Sequence, residues 1–244
     1  MTGRGWAYCI LFFLLGFIAT INWNCVSAAD REKQEYANIQ ILKTQYLIGE
    51  DKVNIPEITG MQDNKLQSLI NLNLKEKILS FKIPESNSSL YGDFDIVYYN
   101  RYLLGINFKG YSYTKGSAHP NKIDIVIYSD LGTGRIYNID DLFKAGVDFE
   151  SRIKELCREN DDAYRLSIDG YYNNWTYRMF AYSWSGKDKS FVLFADSMRV
   201  YSIPSFAVGA ISGYQIPYSD IMDIIDQDSP LWKALQNKGP VVIK

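Results

Sequence analysis

A single histidine, His119, in 244 residues rules out a multi-histidine metal centre or a two-histidine proton shuttle within one chain. Cysteine is almost as scarce, with three in the whole chain. Cys9 and Cys25 fall in an N-terminal apolar stretch, so removal of that stretch leaves Cys157 alone and no internal disulfide. Strong charge of either sign is also missing, since 26 Lys and Arg face 28 Asp and Glu. That balance gives no basis for a nucleic-acid partner. There is no glycine-rich phosphate loop, no GxSxG nucleophile elbow and no DxDxDG calcium loop. No cofactor is expected.

The N-terminus reads as an export signal. Arg4 precedes an uncharged apolar run from Trp6 to Ile21, and Val26-Ser27-Ala28 supplies small residues for a signal peptidase. Cleavage is expected after Ala28, making residues 1–28 the signal peptide. The alternative is an uncleaved anchor, since the run nears the ~17 residues of the shortest bilayer span; membrane association is expected only in that case. A mature chain of a little over two hundred residues can bury a core without disulfides. Tyrosine is abundant, with 19 residues against 12 Phe and 5 Trp, which suits half-buried strands.

Alternation and turn chemistry predict a strand over Tyr36 to Ile48, then a break at Ile55-Pro56-Glu57-Ile58-Thr59-Gly60. Asp63 caps a helix whose Leu66, Leu69, Ile70, Leu74, Ile78 and Phe81 share a face. Leu72 and Leu79 on another flank predict protein contact on two sides. The Ser86-Asn87-Ser88-Ser89 cluster reads as loop, and Asn100-Arg101 as a hairpin turn with Asn100 in the left-handed region. Strands are expected over Lys122 to Tyr128 and Arg135 to Ile139, joined by a turn at Asp130 to Gly134. Asp148 opens a second helix with Cys157 on its buried face. Strands follow over Thr176 to Trp184, Phe191 to Ala195 and Met198 to Ile203. Ser219 caps a short helix through Ile225, and Ser229-Pro230 opens a last one. The order predicts an α+β fold, an antiparallel sheet with helices packed on one face, as one body or two intimately packed lobes.

Four stretches together resemble a known family: Ile55-Pro56-Glu57-Ile58-Thr59-Gly60 with its helix, Gly116-Ser117-Ala118-His119-Pro120, Thr133-Gly134 with Ile139-Asp140-Asp141-Leu142-Phe143, and the closing Tyr201 to Gly209 with Ile216-Pro217-Tyr218. They are similar to the extracytoplasmic module of RsiV-type anti-sigma factors and PdaC-type peptidoglycan deacetylases. Lys115-Gly116-Ser117 and Tyr201-Ser202-Ile203-Pro204-Ser205 depart from that pattern. The resemblance implies an N-terminal lobe over 29–115 and a C-terminal lobe over 116–244. It also implies an exported, non-catalytic binding or sensor module for peptidoglycan fragments or a cell-wall hydrolase such as lysozyme. A deacetylase zinc site needs more than one histidine, and five residues ahead of the apolar run leave no sigma-binding segment in this sequence, so the module is expected to stand alone.

Five residues are candidates for ligand contact. His119 follows a Gly-Ser-Ala turn, where it is either a loop residue bonded across the turn or an imidazole able to donate to a sugar hydroxyl. Tyr171, Tyr172, Trp175 and Trp184 lie in or near an aromatic and Asn-rich run suited to stacking on sugar rings, although alternate rings can equally enter a core. Asp140-Asp141 and the aspartates at 220, 223, 226 and 228 read as caps and solvated faces. A carboxylate-dependent glycan enzyme or an envelope assembly partner remain the alternative functions.

Overall fold

The computed structural model describes residues 39–167, 184, 189–202 and 212–237. The apolar N-terminal run and the strand expected from Thr176 lie outside them, apart from Trp184. The described strands form two sheets. A six-stranded sheet has the order β1 (Gln40–Ile48), β2 (Asp51–Thr59), β3 (Ser88–Tyr99), β4 (Leu103–Thr114), β5 (Asn121–Asp130) and β6 (Ile136–Tyr137). A three-stranded sheet runs β7 (Ser190–Leu193), β8 (Ser197–Ser202) and β9 (Ser212–Pro217). Three helices are α1 (Asn64–Leu79), α2 (Phe149–Ser167) and α3 (Pro230–Gln236). The fold class is α+β, and among the described residues no helix is long and apolar enough to cross a membrane.

The hairpin of β1 and β2 turns at Gly49, whose φ of +59° suits glycine. β2 does not break at Pro56, contrary to the sequence expectation. It runs to Thr59 because Pro56 opposes Lys43 with its ring nitrogen turned away from β1, and β3 meets β2 only at Lys52 and Val53. No ladder bond is lost there. Two residues on, Asn71 of α1 substitutes for the departed strand: its Oδ1 accepts from Ile58 N at 2.7 Å and its Nδ2 donates to Ile58 O at 2.9 Å. Since α1 intervenes between β2 and β3, that one junction is parallel, while every other strand pair among the described residues is antiparallel.

Asp63 caps α1 as expected, accepting from Lys65 N and Leu66 N. Its fully buried stripe is Ile70, Leu74 and Ile78, which contribute roughly 1.5–3 kcal/mol each by leaving water. The expected second contact side is absent at Leu72, which is half exposed, as is Leu69. A half-buried ion pair ties the loop after α1 to the sheet: Asp51 Oδ2 receives Lys82 Nζ at 2.9 Å while its Oδ1 receives Leu90 N at 2.9 Å.

β3 begins at Ser88, so two serines read as loop are strand residues. They are buried because their hydroxyls have partners within the fold, Ser88 on the carbonyls of Ile83 and Glu85 and Ser89 on that of Tyr113. Asn100 also departs from expectation, since among the described residues no non-glycine residue has a positive φ. Its side chain shapes the turn instead, Oδ1 accepting from Tyr102 N at 2.8 Å and Leu103 N at 2.7 Å.

Two cores lie on opposite faces of the β4–β5 hairpin. Leu104, Ile106, Phe108, Ile125 and Ile127 face α1, while Leu103, Val126 and Tyr128 face the three-stranded sheet, α2 and α3. The turn at 115–120, where the sequence reading places the seam between lobes, joins these two strands, which pair from Leu103↔Asp130 to Ser112↔Asn121. β5 and β6 are joined through Asp130, whose Oδ1 accepts from Gly132 N and Thr133 N and whose Oδ2 accepts from the Tyr137 hydroxyl.

The expected helix from Ser219 is a three-residue 3-10 turn at Tyr218–Asp220, and Ile225 instead bridges Phe143. Ser229 and Pro230 do open α3, with the serine hydroxyl accepting from Trp232 N at 3.0 Å. Cys157 is fully buried on α2.

Candidate functional site

The register of four neighbouring strands aligns one row of side chains across the main sheet. Lys52 on β2 pairs with Tyr91 on β3, Tyr91 with Tyr111 on β4, and Tyr111 with Lys122 on β5. Partners in register point to the same face. The face is the one that, toward Leu103 and Tyr128, the second core covers. Toward the 115–120 turn it is open: Tyr111 is 40% exposed, and Lys52 and Lys122 are exposed. The two tyrosine rings stack with centroids 4.9 Å apart and planes 23° apart. A flat aromatic pair is thus bracketed by two ammonium groups.

The next row toward the covered half runs Asn54, Asp93, Lys109 and Asp124, all at paired or flanking positions of the same strands. Lys43 reaches Asp93 from β1 at 2.9 Å. Burial pulls the Asp93 carboxyl upward, but hydrogen bonds from Lys43, Phe94 N–H and Asn54 outweigh it and hold the group below the ordinary carboxylate range. One row further, Asn107 lies between Asp95 and Val126. Its Oδ1 is shielded and has no hydrogen-bond partner among the described residues. Tyr201 of β8 donates its hydroxyl to Asp124 O at 3.2 Å, where the second core begins. The result is a step: an open shelf of tyrosine, lysine and aspartate that ends against Tyr201.

Of the residues singled out from sequence, His119 is exposed in the turn joining β4 and β5, two strands of this shelf. Trp184 is 1% exposed, and its indole N–H donates to Ser190 O at 3.1 Å. It belongs to the second core and has no ring face to offer a ligand. Tyr171, Tyr172 and Trp175 lie outside the described residues. Asp141 acts locally, accepting from Asn138 N at 2.8 Å and from Arg135. Cys157 has no acidifying neighbour among the described residues, and burial pushes its thiol up to about 12.

The sequence reading did not single out Lys52, Tyr91, Tyr111 or Lys122. Part of the signal was there, since Lys109, Tyr111 and Tyr113 alternate with Gly110 and Ser112, and Lys122 and Asp124 alternate with Ile123. Among the described residues no group of three or more His, Cys, Asp or Glu gathers to hold a metal. A cavity of about 240 Å³ opens between Tyr102, Asp130 and α3. It is smaller than the usual ligand pocket of ~300–1,000 Å³.

No family model matches the sequence, and no curated protein is similar enough to match. Solved structures do match. A member of the DUF3298 family from Bacteroides fragilis is 16% identical, with a TM-score of 0.55, over 82% of this chain and 98% of its own. A DUF3298 family protein from Pseudomonas aeruginosa is 15% identical, with a TM-score of 0.46, over 77% of this chain and 94% of its own. At such identity the likeness is one of fold, and the chain has the fold of the Bacteroides DUF3298 structure along nearly all of that structure's length.

Proposed function

We propose that the chain is an exported, non-catalytic binding module of the cell envelope, released by cleavage after Ala28, that holds cell-wall glycan on the Lys52–Tyr91–Tyr111–Lys122 row. The observation that carries this reading is the stacked tyrosine pair, half open to solvent and bracketed by lysines. Aromatic faces offer rigid apolar area to the C–H side of a sugar ring at little entropic cost. The flanking ammonium groups suit the carboxylates of a peptidoglycan strand. The export signal and the resemblance to RsiV-type and PdaC-type modules supply the compartment and the class of ligand. His119, exposed in the turn joining β4 and β5, is proposed to meet the same strand, and the Tyr171, Tyr172 and Trp175 run is proposed as a second contact.

The test is cosedimentation of the purified protein with peptidoglycan sacculi, run beside capture on immobilised lysozyme. Tyr111→Ala, in a background whose circular dichroism is unchanged, is expected to weaken sacculus binding about three- to tenfold, the range of an aromatic contact. Lys52→Ala with Lys122→Ala is expected to weaken it further and to flatten its salt dependence. Full retention by these variants overturns the shelf as the site, while loss only in the Tyr172/Trp175 double alanine moves binding to that run. Capture by lysozyme without sacculus binding replaces the glycan by a hydrolase partner. Release of muropeptides by the purified protein overturns the non-catalytic reading.

A further inference from the structure

Strand β1 leaves a nine-residue edge of the main sheet without a neighbouring strand among the described residues. Which of its backbone groups point outward follows from Ile58. The N–H and C=O of Ile58 both bond Asn71, away from β1, so the Ile41–Ile58 pair exchanges no hydrogen bonds. Alternation then turns the N–H and C=O of Ile41, Lys43, Gln45 and Leu47 to the open edge. Natural edges of this length are usually blunted by proline, a bulge or charged side chains, lysine above all. β1 has only Lys43, whose ammonium is held by Asp93, and its register with β2 is unbroken from Gln40 to Ile48. It also leaves apolar side chains open, with Leu47 61%, Ile48 58% and Leu42 46% exposed.

We infer that a second copy of this chain covers this edge, β1 pairing antiparallel with β1 of its partner about a twofold axis at Thr44, so that two six-stranded sheets become one. The sequence of the strand selects both the occupant and the register. Outward-pointing residues must oppose outward-pointing residues, which restricts the axis to a few positions along the strand. An axis at Lys43 sets that lysine against its own copy and costs the repulsion of like charges. An axis at Gln45 overlaps a shorter length of strand. At Thr44 the whole of Gln40–Ile48 is used, and the opposed pairs are complementary. Leu47 meets Ile41, Leu42 meets Tyr46, threonine meets threonine, and Lys43 meets Gln45 while its ammonium stays on its own Asp93. Leu47 also pairs with Lys52 within the chain, so the shelf of each copy continues to the shared edge, and both shelves open on the same face of the joined sheet. Two equivalent sites on one rigid body raise apparent affinity for a repeating polymer without any new contact. The dimer itself does not depend on what the shelf binds.

The test is sedimentation equilibrium of the protein purified from its expressed full-length chain, with two substitutions. The expected result is twice the chain mass, falling to the monomer in Gln45→Pro, which removes one outward N–H while near-ultraviolet circular dichroism and urea midpoint stay those of the unsubstituted protein. Thr44→Cys reads the register: at a non-hydrogen-bonded position on the axis the two Cα atoms come ~4.5 Å apart, within disulfide reach. Mild oxidation is then expected to give a covalent dimer that neither the unsubstituted chain nor Leu42→Cys forms. A monomer at every concentration, a dimer that survives Gln45→Pro with its fold intact, or a Thr44→Cys dimer that stays uncrosslinked overturns the inference. Failure of sacculus binding has no bearing on these outcomes.

Discussion

Asn100 is the most exacting test of how the two cores are held together. It is 1% exposed at the β3–β4 turn, its Oδ1 serves Tyr102 N and Leu103 N, and its Nδ2 donates at 2.8 Å to Ala234 O in α3. Asn100→Ala strands the Leu103 N–H and the Ala234 carbonyl, both at buried residues. Each buried group left unpaired costs ~1–3 kcal/mol, and water can still reach the half-buried Tyr102, so a loss of about 3 kcal/mol is expected. Asn100→Asp keeps the acceptor for the two N–H groups but turns a carboxylate oxygen toward the carbonyls of Ala234 and Asn237. Burial and those carbonyls raise the folded-state pKa of the new carboxyl above its unfolded value of ~3.9. A raised folded pKa gives stability that is complete below the unfolded pKa and is lost as pH rises through the folded one. Asn100→Asp is therefore destabilised at pH 7 and recovers relative to the unsubstituted protein as pH falls toward ~4. Urea titrations followed by tryptophan fluorescence at both pH values measure this, with constant slopes as the check on two-state unfolding. A loss below ~1 kcal/mol in Asn100→Ala, or the same deficit in Asn100→Asp at both pH values, refutes the assignment of Asn100 as the tie between the turn and α3.

Acid should weaken the unsubstituted protein. Burial raises both Asp93 and Glu150, but Lys43, Phe94 N–H and Asn54 on the first and Lys154 and Lys189 on the second outweigh it and hold both below their ordinary values; a depressed folded pKa gives stability above the unfolded pKa that disappears as pH falls through the folded one. Stability is expected to drop below about pH 4.5, and Asp93→Asn should flatten part of that fall; an unchanged acid limb in this variant contradicts the Lys43–Asp93 contribution. Cys157, with its thiol pushed up to about 12 by burial, should resist iodoacetamide in the native protein at pH 8 and react only on unfolding, so rapid native labelling at this residue, located by peptide mapping, contradicts its core position.

The strands, helix starts and buried stripes were legible where local chemistry decides them. Asp63 as a cap, the Ile123, Ile125 and Ile127 alternation, the Asp130–Gly134 turn and Ser229-Pro230 all act within a few residues. Local preference misleads where a distant partner reverses it. Pro56 normally ends a strand, but here its nitrogen faces a gap left by β3. Ser88 and Ser89 normally signal loop, but carbonyls at Ile83, Glu85 and Tyr113 allow their burial. Asn100 does shape the turn, but by side-chain acceptance in place of a left-handed backbone. The shelf was the least legible feature. Lys52 and Tyr91 are neighbours only because a helix carries the chain from β2 back to a parallel partner, and no pattern along the sequence encodes which residue of one strand lands beside which residue of another.

The location of the shelf separates its side chains from the core beneath it. β4 and β5 are buried on the α1 face along much of their length, by Phe108, Ile106, Ile125 and Ile127. Their opposite face divides near Asn107, buried on the Tyr128 side and open on the Tyr111 side. Substitutions at Tyr111, Lys109 or Lys122 therefore alter an exposed surface whose backbone is fixed from behind by Phe108. Backbone approach constrains that half of the sheet as well: a Cβ on Gly110 would meet Tyr91 O at 2.1 Å, and one on Gly92 would meet the Phe108 ring at 2.3 Å. The Gly92–Gly110 pair brings β3 and β4 close just where the tyrosines stack, in the adjacent position of each strand. The surface chemistry of the shelf is carried by side chains that the core does not need, while the close approach of β3 and β4 beneath it requires the two glycines.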